Sequence, residues 1–140
     1  MKNYKLMDHT ADIALIANGN TIEELFIACA EGFKEISLVD KHSFLPNRRS
    51  LYVKADSLEE LLVSFLDELN FLIQVKKIYL EGVKRIVISQ HKSHYELKSV
   101  ILISILEREE IKTEIKAVTF HQLKIKKCDD FYSTTVVFDT

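Results

Sequence analysis

The chain is poor in residues that break, bend or staple a fold. Its 140 residues include three glycines, one proline, two cysteines and no tryptophan. So little glycine and proline excludes a collagen-like or low-complexity chain and argues against disorder or a long linker. No GxGxxG segment or phosphate-binding P-loop occurs, and three glycines could hardly build either. No GxSxG nucleophile elbow is present. Cys29 and Cys128 lie far apart with no CxxC spacing, which excludes a disulfide framework and a cysteine zinc site and fits a reducing cytosol. No run approaches the roughly 18 apolar residues of a membrane span. The longest candidate, residues 100–106, is closed by Glu107. Met1-Lys2-Asn3-Tyr4 lacks the apolar core of a signal peptide, so a cytoplasmic location is expected. Excess charge of one sign is also missing. With 19 basic and 21 acidic residues the formal net charge is −2, which argues against an autonomous nucleic-acid binder.

What is present is the balance of a globular protein, 47% apolar and 29% charged, on a length that suits one domain spanning residues 1–140. Two segments share a helix-start signal. Thr21-Ile22-Glu23-Glu24 and Ser57-Leu58-Glu59-Glu60 both match the capping box, in which a hydroxyl accepts the backbone N–H three residues on. Behind the first, Ile22, Leu25, Phe26, Cys29, Phe33 and Ile36 recur at helical spacing. Behind the second, Leu58, Leu61, Leu62, Phe65, Leu69 and Leu72 do the same. Each helix therefore offers an apolar stripe to a core, with Cys29 as buried packing.

The remainder reads mainly as strands: residues 12–17, 50–55, 85–89, 95–103, 114–119, 121–126 and 132–138. Asn18-Gly19-Asn20 reads as a turn, and Cys128-Asp129-Asp130 as the hairpin turn joining the last two strands. The expected class is α+β, two amphipathic helices covering one face of a mostly antiparallel sheet.

Three places carry candidate chemistry. Asp8-His9-Thr10-Ala11-Asp12 puts two carboxylates and an imidazole within five residues. It reads as a metal-ligand set, as a general base with its orienter, or as a polar turn before a strand. At the other end, the sequence stops one residue after Asp139, so the terminal carboxylate of Thr140 is expected beside it. Two such anions repel unless a cation or basic side chain neutralises them. Between them lies Glu114-Ile115-Lys116-Ala117-Val118-Thr119-Phe120-His121. There Lys116 and His121, at odd separation, would face opposite sides of a regular strand. His91 and His94 read as a solvated turn with no matching ligand cluster.

Several of these residues resemble one family. His9-Thr10-Ala11-Asp12-Ile13 is similar to the archease N-terminal signature. Ser57-Leu58-Glu59-Glu60-Leu61-Leu62, running on to Leu69-Asn70-Phe71-Leu72, resembles that family's long second helix. Ile115-Lys116-Ala117-Val118-Thr119-Phe120-His121 resembles its internal motif, and Val136-Val137-Phe138-Asp139 plus one residue its ending. The matches occur in family order across nearly the whole chain. Ala14 departs from the family's usual glycine, and a φ > 0 backbone there would be strained. Thr140 replaces a usual terminal aliphatic, and residues 104–110 lack the family's proline-containing turn.

The resemblance implies a non-enzymatic, metal-binding cofactor of an RtcB-type RNA ligase in tRNA splicing or RNA repair. The partner would do the catalysis with GTP and manganese, and the cofactor would promote its guanylylation and multiple turnover. The metal ligands implied are Asp12, Asp139 and Thr140, with His9, Lys116 and His121 as supporting or partner-contact groups. An all-oxygen anionic set favours a hard cation, Ca²⁺ first, with Mg²⁺ or Mn²⁺ as alternatives. RNA would be met only through the ligase, and no membrane is involved. The competing readings are a metal-dependent phosphoester hydrolase using Asp8, His9 and Asp12, and a chaperone-like RNA-binding adaptor.

Overall fold

Both helix starts form where the caps place them. The Thr21 hydroxyl accepts the Glu24 N–H at 3.1 Å, and the Ser57 hydroxyl accepts the Glu60 N–H at 3.1 Å. Each such cap is worth about 1 kcal/mol. At the first start Glu24 reaches back one residue further than the motif requires, accepting from the Asn20 N–H at 2.9 Å.

The architecture comes from a computed structural model, which describes every residue except Met1, His9, Thr10, Ala11, Phe44 and His121, and the side chain of Asp8. In chain order the elements are β1 (Lys2–Asp8), β2 (Asp12–Gly19), α1 (Ile22–Ser37), β3 (Asn47–Ala55), α2 (Leu58–Gln74), β4 (Ile78–Gln90), β5 (Tyr95–Ile105), β6 (Ala117–Thr119), β7 (Lys126–Cys128) and β8 (Phe131–Asp139). All strand pairings are antiparallel.

The α+β class and the two amphipathic helices agree with the sequence reading. The strands, however, divide into two sheets. One runs β1-β2-β8-β6, with β7 also on β8; the other runs β3-β5-β4. Helix α1 contacts β1, β2 and β8 of the first sheet and β4 of the second. Helix α2 contacts β3, β4 and β5 of the second and β6 of the first. The helices therefore form a middle layer, which is why both are buried over most of their surface. Leu25, Phe26, Cys29, Phe33, Leu61, Leu62, Phe65, Leu66 and Leu69 are all enclosed. Each large apolar side chain so buried contributes about 1.5–3 kcal/mol before entropy is counted. Among the described residues no helix is long and apolar enough to cross a membrane.

Several strand boundaries differ from the periodicity reading. β1 went unread because only Tyr4 and Leu6 pack inward from it. Residues Asn18 and Gly19, expected in a turn, complete β2. β4 starts at Ile78 rather than 85, because register shifts at Leu80/Gly82 and Val83/Arg85 break the alternation that reveals a strand. Segment 122–125 does not join the ladder. Side chains hold it instead: the Ile125 N–H donates to Glu59 at 3.0 Å, and the Thr134 hydroxyl donates to the Lys124 carbonyl at 2.9 Å.

Candidate metal centre

Strand register brings the ends of the chain together. In the β2–β8 ladder Asp12 pairs directly with Asp139, Ile13 with Phe138 and Leu15 with Val136. Phe138, Val136 and Leu15 are buried against the helices. Side chains alternate along a strand, so Asp12 and Asp139 share the opposite, outward face of this sheet. Both are half-buried. Directly opposed residues have Cβ atoms about 4.5–5.5 Å apart, and like charges there are destabilising. A cation between them removes that penalty, and carboxylate oxygens are the donors hard divalent cations prefer. The residues thus fit the implied metal: Asp12 and Asp139 are the groups that would hold it, with half-buried Thr140 next in sequence.

Asp139 is also where the internal motif arrives. Ala117 of β6 pairs with Asp139 on its other side, and the Lys116 N–H donates to the Asp139 carbonyl at 2.8 Å. Lys116 itself is exposed, just ahead of β6. Helix α2 fixes this segment from below. The Asn70 amide donates to the Ile115 carbonyl at 2.9 Å. The Asp67 carboxylate accepts the Val118 N–H, although burial pushes its pKa upward overall. Sequence reasoning did not single out Asp67 or Asn70, because contacts from a helix to a neighbouring backbone leave no periodic signal.

Among the sequence-predicted residues the structure thus brings Asp12, Asp139, Thr140 and the Lys116 backbone into one corner. His9 and His121 lie outside the described residues, and so does the Asp8 side chain that the hydrolase reading uses. Ala14 is in regular β2 ladder with Met7 and Val137. No non-glycine residue there has positive φ; among the described residues only Lys77 and Gln122 do. The strain a lost glycine would signal is absent.

A second cluster was not anticipated. His91 and His94 close the β4–β5 hairpin, with the His91 N–H donating to the His94 carbonyl at 2.8 Å. Their rings stack at 4.9 Å, and their Nε2 atoms stand 2.8 and 3.4 Å from opposite oxygens of Glu96. Tyr52 donates to the same carboxylate at 2.6 Å. His91, His94 and Glu96 are the only group of at least three metal-capable ligands that converges among the described residues. The expectation of unaccompanied, solvated histidines is corrected by the Glu96 contacts. Both imidazoles are engaged by one carboxylate, which pins the turn; Lys54 stands in register with Glu96 on β3.

Three antiparallel-strand ends and a helix meeting around two opposed aspartates define a small α+β protein with a carboxylate-lined corner. The chain belongs to the archease family: residues 4–140 match the model of the Archease protein family (MTH1598/TM1083). It is 34% identical to protein archease of Methanosarcina barkeri, over 99% of this chain and 96% of that one. It is 35% identical to the Thermococcus kodakarensis archease, over 93% and 92%. Its fold resembles the solution structure of Methanobacterium thermoautotrophicum protein 1598, with TM-score 0.81, 26% identity and 98% of each chain covered. It also resembles the crystal structure of a Thermotoga maritima archease described as a possible chaperone, with TM-score 0.63, 26% identity and 97% and 96% covered.

Proposed function

We propose that this protein is a non-catalytic, metal-binding cofactor of an RtcB-type RNA ligase, promoting the ligase's guanylylation and multiple turnover in tRNA splicing or RNA repair. The observation that carries the reading is the Asp12–Asp139 cross-strand pair, which is costly without a cation and suited to one. Membership of the archease family supports it. In this reading Asp12, Asp139 and the Thr140 carboxylate hold a hard divalent cation, Ca²⁺ first and Mg²⁺ or Mn²⁺ as alternatives. So few protein ligands leave positions for water or for a group from the ligase. A bound divalent cation there offsets most of the negative charge of the corner and leaves coordination positions open for a group from the partner. Lys116, exposed beside it, supplies a contact to the partner, and His9 and His121 are supporting groups. The site acts in the cytoplasm, alongside the ligase.

The test is guanylylation and multiple-turnover joining by the ligase from the same source. It compares no added protein, wild type, Asp12→Ala and a chain extended by a few residues after Thr140. Activation by wild type alone is the expected result. Equal activation by folded Asp12→Ala would remove the metal corner from the mechanism, and no activation by wild type would remove the ligase.

A further inference from the structure

The outward face of the second sheet holds cations that form no ion pair among the described residues. On β3, buried Leu51 points to the helices, so the alternate residues Arg48, Tyr52 and Lys54 face outward. On β5, Leu97 and Ile101 are buried, so Lys98 and Val100 join that outward face. On β4, Arg85 pairs with Val100 and Val87 with Lys98. The register shift between Val83 and Arg85 makes Lys84 an extra residue, and such a bulge re-aims a side chain. Arg48, Lys84 and Arg85 consequently line one cavity of about 250 Å³ around Val100. A groove of about 490 Å³ continues from Arg85 past Val87 and Lys98 to Tyr52.

Among the described residues none of Arg48, Lys54, Lys84, Arg85 or Lys98 forms an ion pair or donates a side-chain hydrogen bond. Glu96, the acid on this face, is already engaged by Tyr52, His91 and His94. Five unpaired cations on adjacent strands repel one another, and a polyanion relieves that repulsion. The net charge of −2 therefore conceals a segregated surface, with the negative excess elsewhere. Tyr52 and Val87, 55% and 49% exposed, give the groove an apolar floor beside the cations. An open sheet face with an exposed aromatic among basic groups is the arrangement on which unpaired bases stack.

We propose that this face binds single-stranded RNA, with Arg48, Lys84 and Arg85 holding one phosphate, Lys98 and Lys54 neighbouring ones, and Tyr52 carrying a base. The polyanion follows from the face itself; the choice of RNA rests on the ligase-cofactor reading above. RNA is then touched directly, where the sequence reading had it met only through the ligase.

The test uses the whole chain without any ligase and a fluorescently labelled single-stranded RNA oligonucleotide, followed by anisotropy. Three neutralised phosphates give log K against log salt a slope of roughly −2. The double variant R48E/R85E, with unchanged circular dichroism, should bind at least about tenfold more weakly, with a slope shallower by roughly 0.7. Absent or salt-insensitive binding, or undiminished binding by the variant, would overturn the proposal. So would duplex RNA binding as tightly as the single strand, or polyglutamate, standing for an acidic protein, displacing the RNA. Ligase activation is measured separately. RNA binding without activation strikes the ligase reading alone, and activation without RNA binding strikes this one alone.

Discussion

Asp12 and Asp139 stand directly opposite each other on β2 and β8, from opposite ends of the sequence, with Ala117 of β6 on the far side of Asp139. Their shared outward face makes the two charges inseparable in the folded chain.

Removing one of the pair should therefore have two effects. Without divalent cations, Asp12→Asn or Asp139→Asn should melt no lower than wild type, because a like-charge pair is gone. With Ca²⁺ at about a hundred times Kd, wild type should gain roughly 2.7 kcal/mol and its Tm should rise by several degrees. Both variants should lose that rise, which differential scanning calorimetry reads directly. A Ca²⁺ response retained in the Asp12→Asn protein would place the cation elsewhere.

The helix that braces the corner can be loosened without touching a carboxylate. Asn70→Ala removes the donor to the Ile115 carbonyl and should cost about 1–3 kcal/mol. Hydrogen exchange should show lower protection at the Lys116 and Val118 amides, with the β1–β2 ladder unchanged. Uniform loss of protection would mean that Asn70 supports the whole fold instead.

Gly32 allows α1 to press on the strand that carries Asp12. A Cβ there would overlap Leu15 Cδ1 and meet Cδ2 at 2.8 Å, and Leu15 is fully enclosed. Gly32→Ala gains about 1 kcal/mol of helix propensity against roughly 1–3 kcal/mol of overpacking. Urea unfolding should show net destabilisation, and a more stable variant would mean that Leu15 has room to turn.

The hairpin clamp carries a pH signature. The Tyr52 hydroxyl first, and then His94 and His91, hold Glu96 down at about 2 from 4.5. A depressed carboxylate stabilises the fold above its unfolded value and loses that contribution as pH falls from about 4.5 towards 2. In Tyr52→Phe the Glu96 midpoint should move upward, narrowing the window. Carboxyl-carbon NMR titration follows it, and an unmoved midpoint would assign the effect to the imidazoles.

Much of the fold was legible because its signals were local. Thr21 and Ser57 announced the helices, and their stripes named most of the core. Tyr132 to Phe138 alternated cleanly because one face of β8 is buried. The rest depended on partners that lie far away in sequence. β4 hid behind its bulges at Leu80/Gly82 and Val83/Arg85. Segment 122–125 had strand composition, yet Glu59 and Thr134 side chains took its backbone bonds. Asp12 and Asp139 could be flagged as acids, but their apposition is a matter of register. Net charge could not reveal the basic sheet face, since segregation leaves the total unchanged.

The ladder between β2 and β8 joins the two ends of the chain, whereas β3, β4 and β5 pair nearer neighbours along it. Pairings that close the longest loops form late. The second sheet, the helices and the β1–β2 hairpin join elements closer in sequence, so the β2–β8 ladder is the pairing expected to complete the first sheet last. The two aspartates meet only in the β2–β8 pairing, so under the proposed function a cation held between them would act as a latch on completed folding. A partner that recognises the loaded corner would then engage finished molecules and pass over incomplete ones.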